Sequence, residues 1–198
     1  MEMSKSSSNN GELEKEVLVR MGSKRGVGSF ESLVRLLAMA LTLSAAVILG
    51  VDKQTKIVSI KILDTLPPIN LPATAKWHYL SAFTYFVVVN AIACSYAAVS
   101  LVLLLANRGG KSGGGGGLGL VIVVVDLMMV ALLFSSNGAA AAIGLVGYEG
   151  NSHVQWKKVC DVFGKFCDQG AAALIISLLG AITFLLLVML AIKRLHCK

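Results

Sequence analysis

Four long runs of apolar residues, each almost free of charge, constrain this chain more than any other feature of its sequence. They read LVRLLAMALTLSAAVILGV (33–51), LSAFTYFVVVNAIACSYAAVSLVLLLA (80–106), LGLVIVVVDLMMVALLF continuing through SSNGAAAAI (118–143), and AAALIISLLGAITFLLLVMLAI (171–192). A helix needs roughly 20 residues to cross about 30 Å of hydrocarbon. The strands of a barrel would alternate polar and apolar residues, and an open sheet edge would leave backbone groups unsatisfied in lipid. These runs do not alternate. The expectation is an all-α membrane protein built as a four-transmembrane-helix bundle.

Composition agrees with that class. Apolar residues make up 56% of the 198 and charged residues 15%, where a soluble domain carries about 25% charge. The net charge of +7 comes from 18 Lys and Arg that lie mostly between the apolar runs or at the chain ends. With no basic helix and no aromatic-studded strand among them, they speak for headgroup contact and topology, not for nucleic acid. Residues 1–29 are rich in Ser, Gly and charge and read as a disordered cytoplasmic tail. Because the first apolar run starts only at Leu33, it should act as a signal anchor and not as a cleaved signal peptide. Residues 30–198 then form one four-span domain.

The connections differ in character. NRGGKSGGGGG (107–117) is a short glycine-rich linker without packing capacity. Residues 52–79 contain KIVSIKIL, where Val58, Ile60 and Ile62 alternate with polar residues ahead of a turn region holding Pro67, Pro68 and Pro72. Either a short extracellular β element or a bare connector fits this pattern. The tail, the glycine linker and the C-terminus carry ten basic residues against seven in the two longer loops. That difference favours both termini in the cytoplasm.

Two ionisable residues fall within the spans, Arg35 in the first and Asp126 in the third. A charge at membrane depth needs a partner or a cavity. The first and third helices run parallel, and helical side chains lean toward the N-terminus, which brings Asp126 toward the level of Arg35. A salt bridge inside the bundle is expected; the alternative is that Arg35 snorkels to headgroups while Asp126 stays neutral or faces a small polar pocket. Cys160 and Cys167, with six residues between them in an outer loop, can form a disulfide that stiffens the loop. Two metal ligands is the rival reading, but no second Cys pair or His cluster accompanies them. Around them Trp156, Phe163 and Phe166 interleave with Lys157, Lys158 and Lys165. They form an expected outer surface that either binds a partner or rests on headgroups.

Ala173, Ser177 and Ala181 place a small residue at every fourth position of the last span, a stripe suited to close helix packing within the bundle or at a dimer face. Cys197, beside Lys193 and Arg194, is a candidate palmitoylation site or a free cytosolic thiol. The glycine linker lacks the spacing and the strand–helix context of a phosphate loop, and the three His have no partners at recognisable catalytic spacing. No cofactor and no enzymatic chemistry are expected.

On these residues the chain resembles the plant Casparian strip membrane domain protein-like (CASP-like) proteins, which are related in fold to MARVEL domains. The likeness covers nearly everything after about Phe30. It rests on Arg35, on Asp126, on PATAKWHYLSAFTYFVVVNAIACSYAAVSL (72–101), and on the loop GYEGNSHVQWKKVCDVFGKFC before the fourth run. That loop is the most specific piece and is most similar to the first CASP-like subgroup. The resemblance implies a multi-pass plasma-membrane protein that forms homo- and hetero-oligomers with family members, as a dimer or larger. In Casparian strip members such assemblies form an immobile platform that guides local cell-wall modification and acts as a diffusion barrier, so apoplastic cell-wall proteins are implied partners. The first outer loop lacks the ESLPFFTQF-like signature of true Casparian strip members, so the resemblance extends to the scaffold and not to endodermal barrier formation. The function expected is a non-enzymatic membrane scaffold; the alternative is a transporter, channel or channel-accessory subunit, motivated by the two intramembrane charges.

Overall fold

Helix length follows from hydrocarbon thickness, and the structure obeys it. The computed structural model describes residues 28–60, 69–109, 115–150, 153 and 158–196. In it, α1 (Gly28–Gly50), α2 (Ser81–Gly109), α3 (Gly115–Glu149) and α4 (Gly164–His196) are each long and apolar enough to cross a membrane. Residues 1–27, and with them nearly all of the expected tail, lie outside the described residues; positions 28 and 29 already belong to α1. The last two helices outrun their apolar runs, because a helix that has left lipid no longer needs apolar side chains. Thus α4 starts seven residues before Ala171, with Lys165 and Asp168 exposed. At its end α3 stops on Gly150, whose φ of 73° suits a residue without Cβ and whose N–H bonds to the Val146 carbonyl at 2.9 Å.

Contacts between helices establish an up-down-up-down order. Arg35 meets Ser100 while Gly50 lies beside Val87, so α1 and α2 are antiparallel. Tyr96 reaches the Ile122 carbonyl and Tyr85 reaches Ser135, which makes α2 and α3 antiparallel as well. The chain crosses α4 closely over α1: a Cβ on Gly180 would lie 3.2 Å from Thr42 Cγ2. The buried positions of the seam include Arg35, Ala38, Thr42, Ala45 and Leu49 along α1, with Asp52 just past its end, and Phe83, Phe86, Asn90, Ala93, Ala97 and Ser100 along α2; Val34 and Val89 are buried beside them. Steps of alternately three and four residues are the seam of left-handed bundle packing. Large aliphatic residues such as Leu37, Val88, Leu127 and Leu186 occupy the outer faces instead.

Between α1 and α2 lies an antiparallel hairpin of β1 (Lys53–Ile60) and β2 (Ile69–Lys76), paired from Lys53 with Lys76 to Ile60 with Ile69. The alternating stretch containing Val58 and Ile60 is therefore a strand, while Ile62 lies outside the described residues. Pro72, read from sequence as part of a turn, sits instead within β2 opposite Ile57. In a two-stranded sheet every strand is an edge, so a residue without an N–H is tolerated there. Thr55 and Thr74 hydrogen-bond across the pair at 3.1 Å. Gln54 ties this hairpin to α4, since its Oε1 accepts the Phe166 N–H at 3.0 Å. That N–H is one of the donors a helix start leaves unsatisfied.

Candidate functional site

The seam carries two polar layers separated by apolar packing. In the layer near the start of α1, Arg35 and Asp126 meet as a fork: Nη1 donates to Oδ1 at 3.1 Å and Nη2 to Oδ2 at 2.8 Å. Arg35 is 1% exposed and Asp126 0%. Arg35 Nη1 also donates to Ser100 Oγ at 2.9 Å, and the Ser100 hydroxyl donates in turn to the Ala97 carbonyl at 3.0 Å. Glu31, one turn earlier on α1, lies 3.8 Å from Nη2. The planar guanidinium matches a carboxylate with two parallel bonds, a geometry a lysine would not reproduce. Only its Nε lacks a hydrogen-bond partner.

About 16 Å farther along α3, by helical rise, a second layer joins three helices through neutral groups. Ser177 Oγ donates to Asn90 Oδ1 and accepts from Asn137 Nδ2, both at 2.9 Å. The two asparagines also donate to carbonyls four residues back, Phe86 and Leu133. Asn137 Oδ1 is buried without a partner. Between the layers lies an apolar core that includes Ala38, Ala93, Val130, Leu133 and Phe184. Above the second layer a further core contains Leu49, Phe83, Phe86, Ala140 and Phe166.

Neither Asn90 nor Asn137 is singled out by the sequence; Ser95, another polar residue of α2, is exposed and bonds its own helix at Ala91. The signal that could have found this layer is the recurrence of small or polar residues at three- and four-residue steps in each run, against a background of Leu, Ile and Val. Ala173, Ser177 and Ala181 are all fully buried in the single chain, so their stripe faces the other three helices and not a neighbouring molecule.

At the end of the bundle away from the ion pair, Cys160 and Cys167 form a disulfide with Cα atoms 5.7 Å apart, joining the turn before α4 to its first turn. The expected outer aromatic surface needs correction. Phe166 is only 5% exposed and packs on Phe83 at 5.9 Å between ring centroids, because α4 starts early enough to place it seven residues before Ala173 on the inward face. Phe163 is half-buried against the same core. Trp156 and Cys197 lie outside the described residues. Asp52, just past α1, was not singled out in the sequence; it is 2% exposed, its Oδ2 has no partner, and burial pushes its carboxyl up to about 6.

The described arrangement therefore offers one charged clamp, one neutral hydrogen-bonded layer, and a covalent clip, all on rigid helices. Comparison with known proteins gives a consistent likeness. A model of the Casparian strip membrane protein domain matches residues 24–183. CASP-like protein 1E1 of Populus trichocarpa is 59% identical over 94% of this chain and 92% of its own length. CASP-like protein 1E2 of Vitis vinifera is 60% identical over 89% and 88%, and CASP-like protein 1E2 of Arabidopsis thaliana 53% identical over 87% and 88%. No solved structure matches.

Proposed function

The chain belongs to the Casparian strip membrane protein domain family, and from that premise we propose that it is a non-enzymatic plasma-membrane scaffold. Copies of the chain, alone or with relatives, associate laterally with both termini in the cytoplasm. Their hairpin and disulfide-clipped turn face outward, toward cell-wall proteins. The single observation that carries this reading is the apolar core between the two polar layers: Ala38, Ala93, Val130, Leu133 and Phe184 are buried there. The charges are spent on each other, and the bundle interior offers packing where a transporter needs a path. Function then falls to the outer faces.

The test is crosslinking with native mass measurement of the purified protein in nanodiscs, together with fluorescence recovery of tagged protein in the plasma membrane. Defined oligomers and slow recovery are expected. A clean monomer that diffuses freely would overturn the scaffold reading. Asn137 Oδ1, buried without a partner, favours the second reading as a transporter or channel-accessory subunit. That reading predicts proteoliposome flux abolished by Asp126→Asn, and its absence removes it.

A further inference from the structure

An apolar cavity of about 350 Å³ opens at the outer end of the bundle, lined by residues of α2, α3, α4 and the turn before α4, with none from α1. Such a volume is within the range of small-molecule sites. Both disulfide cysteines belong to its wall. Gly170 defines its depth: the residue is buried, yet a Cβ built on it meets no atom of the described residues within 4 Å. Gly144 and Gly147 on α3 likewise face open space. In a packed interior a buried glycine is normally covered by neighbouring atoms, so the emptiness beside Gly170 is room for an occupant.

The wall is continuous with the lipid-facing surface. Leu145 and Tyr148 line the cavity and are 59% and 67% exposed, so its opening looks onto the membrane boundary. A tyrosine at that boundary is at home between headgroup and hydrocarbon. Charges of both signs adjoin the lining residues in sequence and are exposed: Lys158 and Lys165, with Glu149, Asp161 and Asp168. An anionic headgroup would meet as much repulsion as attraction there. A phosphate carrying its own cationic amine finds a complement for each charge.

We propose that this cavity binds one acyl chain of a zwitterionic phospholipid from the outer leaflet, with the headgroup held among the charged residues around the disulfide. The site makes a bound lipid part of the outer surface, with the disulfide forming one of its walls. The inference rests on the membrane fold and, for the choice of leaflet, on the orientation proposed above; it stands whether or not the protein is a scaffold.

The experiment uses the full chain in phosphatidylcholine nanodiscs doped with phosphatidylcholine carrying a diazirine on its acyl chain. After irradiation, label is expected in peptides spanning 143–148 and 166–174. Gly170→Leu should reduce it about tenfold, the worth of about two buried methylene groups. Gly119→Leu, which also meets open space but lies at the other end of α3, should leave it unchanged. Gly144→Leu gives a second way to fill the cavity should Gly170→Leu fail to yield a monodisperse protein. Label spread evenly along the four helices, label unaffected by either filling variant, or stronger labelling by a sterol or anionic phospholipid probe overturns the proposal.

Discussion

Asp126 and Asp52 are both buried carboxylates, at opposite ends of one bundle, and they are treated in opposite ways. Asp126 lies at membrane depth and is held by the Arg35 fork, with Ser100 and Glu31 beside the guanidinium. Asp52 lies just past the end of α1 with one oxygen unpartnered. The difference follows from where water is. A carboxylate far from solvent keeps its charge only beside a counter-charge. A carboxyl near the membrane surface can take up a proton, and burial moves Asp52 in that direction. The end at which α1 begins is thus built on a fixed ion pair, the opposite end on neutral groups, a covalent clip and a proton-accepting side chain.

The sharpest way to break this comparison is to remove one half of the inner pair. Arg35→Ala or Asp126→Ala should cost about 3–5 kcal/mol by stranding a buried charge. The variants should show loss of monodisperse protein and a lowered unfolding midpoint in detergent. The double variant Arg35→Met with Asp126→Leu should recover much of that loss; single variants that behave as wild type would show the pair to be dispensable. At the outer end, Cys167→Ser should cost about 2 kcal/mol, the chain-entropy worth of so short a loop. Reduction followed by hydrogen exchange should show the effect confined to the start of α4.

The neutral layer should respond less. Ser177→Ala should cost about 1 kcal/mol, as interhelical hydrogen bonds in membranes are modest, measured as a shift in thermal midpoint. Smallest is Asp52. Its carboxyl binds a proton more tightly folded, near pH 6, than unfolded, near 3.8. Stability should therefore rise as pH falls from about 7 toward 4, with most of the change between the two values. Asp52→Asn should be more stable than wild type at pH 7 and should lose that part of the pH dependence. A wild-type midpoint that falls between pH 7 and 5 while the variant's does not would contradict the sign.

Much of this was legible because membranes make sequence patterns loud. Four runs nearly without charge specify four helices, and Arg35 and Asp126 stand out because no other Asp, Glu, Lys or Arg falls within those runs. The Asn90–Ser177–Asn137 layer was quiet for the opposite reason: each run contributes one neutral residue, and neutral side chains are tolerated in any helix. Only the packing of three helices reveals that they meet. Phe166 was misplaced because the apolar run begins at Ala171, whereas the helix begins at Gly164; about two extra turns carry the ring from loop to core. β2 was hidden by Pro72, which usually argues against a strand but is harmless where every strand is an edge.

The unequal helices have a consequence for height. From the level of the Arg35–Asp126 pair, α1 continues 15 residues to Gly50 while α3 continues 23 to Glu149, so α3 overtops α1 by about 12 Å at 1.5 Å per residue. The short helix leaves a step at its tip, and the hairpin, bonded to α4 through Gln54, stands above it. Anything that docks on the disulfide-clipped turn is consequently kept about a nanometre clear of the plane where α1 ends, a standoff set by helix length alone.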